Sequence, residues 1–162
     1  EVRVFQGRTS RGVRGITLRE GDEVVAMEVV KPGGTLLTLT ELGYGKRTPL
    51  DEYRVQSRGG VGLKNLDITA KNGRVIEIAQ VNEDRELLLI TEWGKILRTP
   101  TGDIRTIGRA TQGVRLMDLD EGDKVVSVAL VEVDDEPLKD DEPSDEQTPP
   151  SEPPPSEDPP TE

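Results

Sequence analysis

The sequence predicts an all-β fold, a propeller- or pinwheel-like array of four-stranded antiparallel blades. Three observations point to it. No segment sustains a 3.6-residue apolar period, turn residues arrive every few positions, and one pattern is written three times. The copies are Arg8-Thr9-Ser10-Arg11-Gly12-Val13-Arg14, Arg58-Gly59-Gly60-Val61-Gly62-Leu63-Lys64 and Arg109-Ala110-Thr111-Gln112-Gly113-Val114-Arg115. In each, an Arg stands four residues before a Gly, and an aliphatic residue and a second cation follow. The register advances by 50 and then 51 residues, the length of one supersecondary unit. Short strands in units of that size suit blades around an axis, which leave only short sheet edges exposed.

The elements follow in order. Glu1-Val2-Arg3-Val4-Phe5 alternates and reads as the closing strand of a unit whose beginning is absent. Gly15–Leu18 is a short strand, Glu20-Gly21-Asp22 a turn, and Val24–Val30 a longer apolar strand. Pro32-Gly33-Gly34 turns the chain into Leu36–Thr40. The hairpin signal Glu41–Gly45 and then Lys46-Arg47-Thr48-Pro49 follow. The second unit repeats this order with Arg74–Val81, Leu87–Thr91 and Thr91–Pro100, and the third reaches Lys124–Val131. About two and a half blades are therefore expected. Their open ends predict low stability for the segment alone. The chain does not start with Met and reads as a fragment.

Charge divides the chain. The net charge is -11, yet residues 1–131 hold 20 Lys+Arg against 19 Asp+Glu. Residues 132–162 hold 13 acids, one base (Lys139), nine of the twelve prolines and no glycine. That composition cannot bury enough apolar surface to offset ordering entropy, so 1–131 is the expected folded domain and 132–162 a disordered acidic tail. A flexible polyanion tethered beside basic loops is expected either to compete with a bound polyanion or simply to solubilise. With no Cys and no His, disulfides, thiolate chemistry, the usual zinc sites and the commonest general base are excluded. No apolar run reaches the roughly 20 residues of a membrane span, which predicts a soluble, reducing compartment.

The Arg-Gly loops carry the functional expectation. Tight-turn chemistry explains the recurring Gly12, Gly62 and Gly113, but it does not require the flanking cation to recur. Equivalent loops on successive blades would line their cations along one outer path. Evenly spaced charge on turns that expose N–H groups suits a phosphate polyanion. The candidate contacts are Arg8, Arg11 and Arg14 in the first loop, Arg58 and Lys64 in the second, and Arg109 and Arg115 in the third. Lys46, Arg47 and Arg98 beside the hairpins, and Arg54 and Arg105 on the strands leading to the loops, repeat with them. Gly12, Gly59, Gly60, Gly62 and Gly113 are the loop glycines. A competing reading pairs Arg47 with Glu41 and Arg98 with Glu92 in hairpin salt bridges. Trp93 shares its repeat position with Leu42 and reads as a packing or hairpin-tip residue.

Four aromatics argue against base stacking, so duplex backbone binding fits better than single-strand or RNA recognition. With no helix to read the major groove, sequence preference should be low. Three tempting sites fail. Gly59–Asn65 lacks the Lys-Ser/Thr spacing of a phosphate-cradling loop, and a strand follows it. Glu20–Glu23 lacks calcium-loop spacing, and Asp118–Asp123 reads as a turn. No nucleophile–base pair, metal site or cofactor site emerges.

At these residues the chain resembles a family. Gln56-Ser57-Arg58-Gly59-Gly60-Val61-Gly62 is similar to the Gln-Arg-Arg-Gly-Gly-Lys-Gly box in the C-terminal domain of the A subunit of DNA gyrase, a type IIA topoisomerase. Phe5–Ile16 and Ile107–Arg115 resemble that domain's later blades, and the acidic tail is also a habit of the family. The resemblance implies a β-pinwheel whose neighbouring blades exchange strands and wrap duplex DNA on a basic rim. It further implies the rest of the A subunit and the ATPase B subunit as partners, ATP and Mg only in the complete enzyme, and a bacterial, chromosome-associated cytoplasmic setting. Ser57 and Val61 replace two cations of the box, which suggests that the principal box lies upstream, as would the cleavage tyrosine. The alternatives are the C-terminal domain of the topoisomerase IV A-type subunit and a kelch-like interaction propeller. Tyr44, Tyr53 and Trp93 share no repeat offset, which argues against kelch.

Overall fold

A computed structural model describes residue 4 and residues 6–132. The expected strand at Glu1–Phe5 therefore lies almost wholly outside the described residues, as does the acidic segment beyond Glu132. Seven strands form among the described residues: β1 Thr35–Thr40, β2 Tyr44–Pro49, β3 Val75–Val81, β4 Arg85–Thr91, β5 Ile96–Pro100, β6 Val114–Arg115 and β7 Val125–Glu132. The only helical elements among those residues are two 3-10 turns, Leu50–Glu52 and Thr101–Asp103. No helix there is long and apolar enough to cross a membrane.

The strands build two antiparallel sheets, ordered β3-β1-β2-β6 and β5-β4-β7. Each sheet centres on a tight hairpin, and the same bonds close both. At the first, the Gly43 N–H donates to Thr40 O at 3.1 Å and the Tyr44 N–H to the Thr40 hydroxyl at 3.3 Å. At the second, the Gly94 N–H donates to Thr91 O at 3.1 Å and the Lys95 N–H to the Thr91 hydroxyl at 3.1 Å. Pro49 and Pro100 end the second strands, with φ of -57° and -59° leading into the 3-10 turns.

The hairpins do not complete their own sheets. The strand following in the next repeat, β3, covers the free edge of β1, from Thr35↔Val81 to Thr40↔Val75. In the same way β7 covers β4, from Arg85↔Glu132 to Thr91↔Val125. Each blade thus borrows a strand from the next repeat. Leu37, Leu39, Val81, Leu87, Leu89, Ile104, Met117 and Val125 form one continuous core across both sheets.

The same rule corrects one expectation. Val24–Val30 forms no strand, and Met27, Val29 and Val30 are exposed. The hairpins at Thr35–Pro49 and Arg85–Pro100 take their exchanged strands from β3 and β7, and no strand among the described residues pairs with Val24–Val30. Apolar composition alone does not hold an isolated strand in water. Gly15–Leu18 is likewise reduced to a single bridge, Ile16↔Gly60.

Asp123 secures the start of β7. Its carboxylate accepts the N–H of Trp93 at 3.2 Å and of Lys124 at 2.8 Å, joining the second hairpin tip to the exchanged strand. Burial opposes its ionisation. The Thr91 hydroxyl and those two N–H groups outweigh burial and hold the carboxyl below its ordinary value of 3.8. A carboxyl depressed on folding stabilises above its unfolded pKa and loses that contribution as pH falls through the folded value. Asp123→Asn is therefore expected to destabilise at pH 7, with the difference from the parent shrinking below about pH 4 in urea titrations.

Candidate nucleic-acid interface

The three Arg-Gly loops are stacked by a repeating bond. Ile16 pairs with Gly60 in a parallel bridge, and Leu66, its repeat equivalent, pairs with Thr111. The Thr17 N–H donates to Gly60 O at 2.8 Å, and the Asp67 N–H donates to Thr111 O at 2.9 Å. Successive loops therefore run the same way, side by side. The recurring glycines all lie at positive φ: 72° at Gly12, 82° at Gly62 and 78° at Gly113. This is the turn chemistry read from their spacing. A pocket of about 250 Å³ lies beside the contact of the first two loops, lined by Gly15, Ile16, Gln56, Ser57 and Arg58 among others.

Eleven of the twelve cations sort into three groups, with Arg109 apart from them. Arg8, Arg11, Arg14, Arg54, Arg58 and Arg105 are exposed and join no ion pair among the described residues. Lys64, Arg98 and Arg115 are exposed but paired, with Asp67, Glu86 and Asp118. Arg109 is half-buried. Its guanidinium lies 5.8 Å from the centre of the Tyr53 ring and donates to Lys64 O at 3.3 Å, and its N–H donates to Glu52 at 3.0 Å. It serves the contact between loops as much as the surface.

Lys46 and Arg47 form the third group and correct the expectation that they face a ligand. Lys46 is wholly buried and Arg47 is 5 % exposed. The Lys46 ammonium donates to Asn65 O at 2.6 Å, to Gly108 O at 2.8 Å and to Arg109 O. Arg47 donates to Ile104 O at 2.8 Å and Gly102 O at 3.0 Å, and pairs with Glu83 at 3.3 Å. The reason lies in β2's outer edge, which is covered by β6 and, beside Arg47, by Arg105–Ile107. Side chains there meet carbonyls of the next repeat instead of solvent. The competing salt bridges also fail in detail, since Arg47 pairs with Glu83 and Arg98 with Glu86. Trp93 sits at the second hairpin tip, 60 % exposed.

Two further polar residues were missed by the sequence reading. Asn72 is fully buried, and its amide donates to Asp67 O at 2.8 Å and Gln112 O at 3.0 Å, tying the third loop down. Asn65 donates to the Thr38 hydroxyl at 2.9 Å and accepts the Tyr53 hydroxyl. For Lys46 a signal existed. Its repeat equivalent is Leu97, and alternation from a shared Thr and Pro marks that position as inward.

Strand-exchanged antiparallel sheets, one of four strands and one of three among the described residues, bearing stacked basic loops define a pinwheel-type, propeller-like array. The family model described as "DNA gyrase C-terminal domain, beta-propeller" matches residues 1–31, 34–82 and 85–132, and the chain belongs to that family. The DNA gyrase A subunit of Staphylococcus aureus (strain MRSA252) is 47% identical over 138 residues, which cover 84% of this chain and 16% of that protein. The protein of the same name from strain NCTC 8325 / PS 47 is 48% identical over 132 residues, covering 80% and 15%. The chain therefore spans about a sixth of these relatives. Among solved structures, the DNA gyrase A C-terminal domain superposes with a TM-score of 0.72 at 35% identity, covering 80% of this chain and 44% of that one. The C-terminal domain of DNA topoisomerase IV follows at 0.68 and 28%, covering 75% and 38%.

Proposed function

We propose that this chain supplies part of a duplex-DNA-binding and wrapping surface in the A subunit of a gyrase-type topoisomerase, and contributes no catalytic group itself. The observation that carries this reading is the stacking of the three Arg-Gly loops in one direction, with arginines at their margins that join no ion pair among the described residues. Fixed cations along one path attract a phosphate backbone without reading bases. The exposed contacts are Arg8, Arg11, Arg14, Arg54, Arg58 and Arg105, with Lys64, Arg98, Arg109 and Arg115 as secondary ones. Gln56 and Ser57 lie in the same loop as Arg58 and add neutral donors. Strand passage, ATP hydrolysis with Mg, the B-subunit partner and a bacterial cytoplasmic setting belong to the whole enzyme in this reading.

The test is binding of the intact protein, as encoded, to two duplexes of equal length and unrelated sequence, each competed by the matching single strand. Close agreement between the duplexes and weaker single-strand binding is expected. Strong preference for one sequence, or no duplex binding, overturns the reading.

A further inference from the structure

We propose that Lys46 is a strut that fixes the spacing between the second and third Arg-Gly loops and thereby aligns their cations on one duplex. The second half of that statement rests on the function proposed above, whereas the first does not. The third loop leaves the β2 edge after Ile107, whose N–H donates to Arg47 O at 2.9 Å, and returns at Val114, opposite Gly45. Lys46 stands between those two anchors. Its three ammonium hydrogens meet three carbonyls: Asn65 O, just beyond the second loop, and Gly108 O and Arg109 O, at the start of the third. One side chain therefore measures the gap between the loops.

The two loop junctions are held by different bonds. Between the first and second loops, Gly15 O accepts the Gly59 N–H at 2.8 Å, and the Thr17 hydroxyl donates to Gly59 O at 2.7 Å. Between the second and third, the carbonyl equivalent to Gly15 O is Asn65 O, and it accepts Lys46 instead. Asp67 stands where Thr17 stood and pairs with Lys64. Two short-range bonds are thus replaced by one long side chain that grips both loops. The hairpin repeat itself does not demand the lysine, because Leu97 stands at the equivalent position on β5, which is an edge strand among the described residues. A buried ammonium is costly to keep where an aliphatic residue serves, and fixing a geometry is a role that such groups are known to take.

The groups facing Lys46 are the carboxylates of Glu52 and Asp67, the Arg109 guanidinium and, across Asn65, the Tyr53 hydroxyl. Burial lowers the Lys46 ammonium from 10.5 to about 8, against the attraction of Glu52 and Asp67 and with help from Arg109. Burial raises the Tyr53 hydroxyl above its ordinary value of 10, so it keeps its proton while Lys46 titrates. The chain holds no histidine or cysteine to titrate beside it. Deprotonation leaves two hydrogens for three carbonyls, and the strut slackens.

The experiment places nitroxides at the exposed positions Val61 and Gln112 in the intact protein and reads their distance distribution by pulsed electron resonance. A narrow distribution is expected at pH 7, broadening at pH 9.5. In Lys46→Leu it should be broad at both pH values. With mixed-sequence duplex, the variant's slope of log K against log salt should become shallower by about 0.9, as expected when one phosphate fewer is neutralised. An unchanged distribution in Lys46→Leu overturns the strut. Should that variant not fold, a distribution in the parent that is the same at both pH values overturns it as well. Absence of duplex binding by the parent refutes the proposed function, while the distances still decide the strut.

Discussion

Replacing Arg8, Arg11, Arg14 and Arg58 together by glutamine is expected to remove most of the salt-dependent affinity for duplex DNA. Each arginine that meets a phosphate contributes about 0.9 to the slope of log K against log salt, so the slope should become shallower by about 3 to 4. These four are exposed and have no carboxylate partner among the described residues, so their charge is available to a ligand without breaking a pair. Arg98→Gln should change the slope less, because Glu86 already neutralises it. Arg47→Gln should leave the slope alone and lower stability instead, since it strips a charged donor from Ile104 O and Gly102 O. Fluorescence anisotropy across a salt series, paired with urea titration of each variant, separates the two kinds of arginine. Equal slopes for the fourfold variant and the parent would mean that the loop cations are only solvated.

The second large effect is expected at a loop glycine. Gly113→Ala should cost about 3 kcal/mol or more, whereas Gly12→Ala should cost about 1–2, the ordinary penalty of a left-handed residue with a Cβ. Both glycines have positive φ, 78° and 72°. The difference lies in what a Cβ meets. At Gly113 it would come within 2.9 Å of Gly45 O, a backbone atom of β2, and at Gly12 it meets nothing within 4 Å. Gly45 cannot retreat, because β2 is held by β1 on one side and β6 on the other. Denaturant midpoints of the two variants decide the matter, and equal losses would show that the third loop is not pressed against β2.

How far the sequence could be read follows from which interactions are local. Hairpin tips, the prolines that stop strands, and the positive-φ glycines are written within a few residues, and these positions were legible. The blade's dependence on a neighbour was visible in the residues only as a repeat length, and beyond that only as what the family resemblance implies. Hence Val24–Val30 looks like a strand by composition, yet forms none where no strand among the described residues pairs with it. Lys46 and Arg47 misled for a related reason. A Lys-Arg pair after a Gly-rich hairpin suggests surface charge, but burial depends on what lies across the strand edge, and that arrives about sixty residues later as Arg105–Arg109. Aligning Lys46 with Leu97 is the one sequence clue that marks the position as inward. Asn65 and Asn72 gave no such clue, because an asparagine in a turn reads the same whether it faces water or clamps a neighbouring carbonyl.

In the function proposed above, the three loops form one continuous track for a single duplex. Photocrosslinking residues placed at Val13, Val61 and Gln112, one exposed position per loop, test it most directly when the crosslinked nucleotides are mapped on a duplex with a fixed end. Three crosslink zones are expected on one duplex, ordered along its axis as the loops are ordered along the chain, all weakening together as salt rises. Crosslinks from only one loop, or zones from the three loops that fall on the same nucleotides, would contradict a shared track.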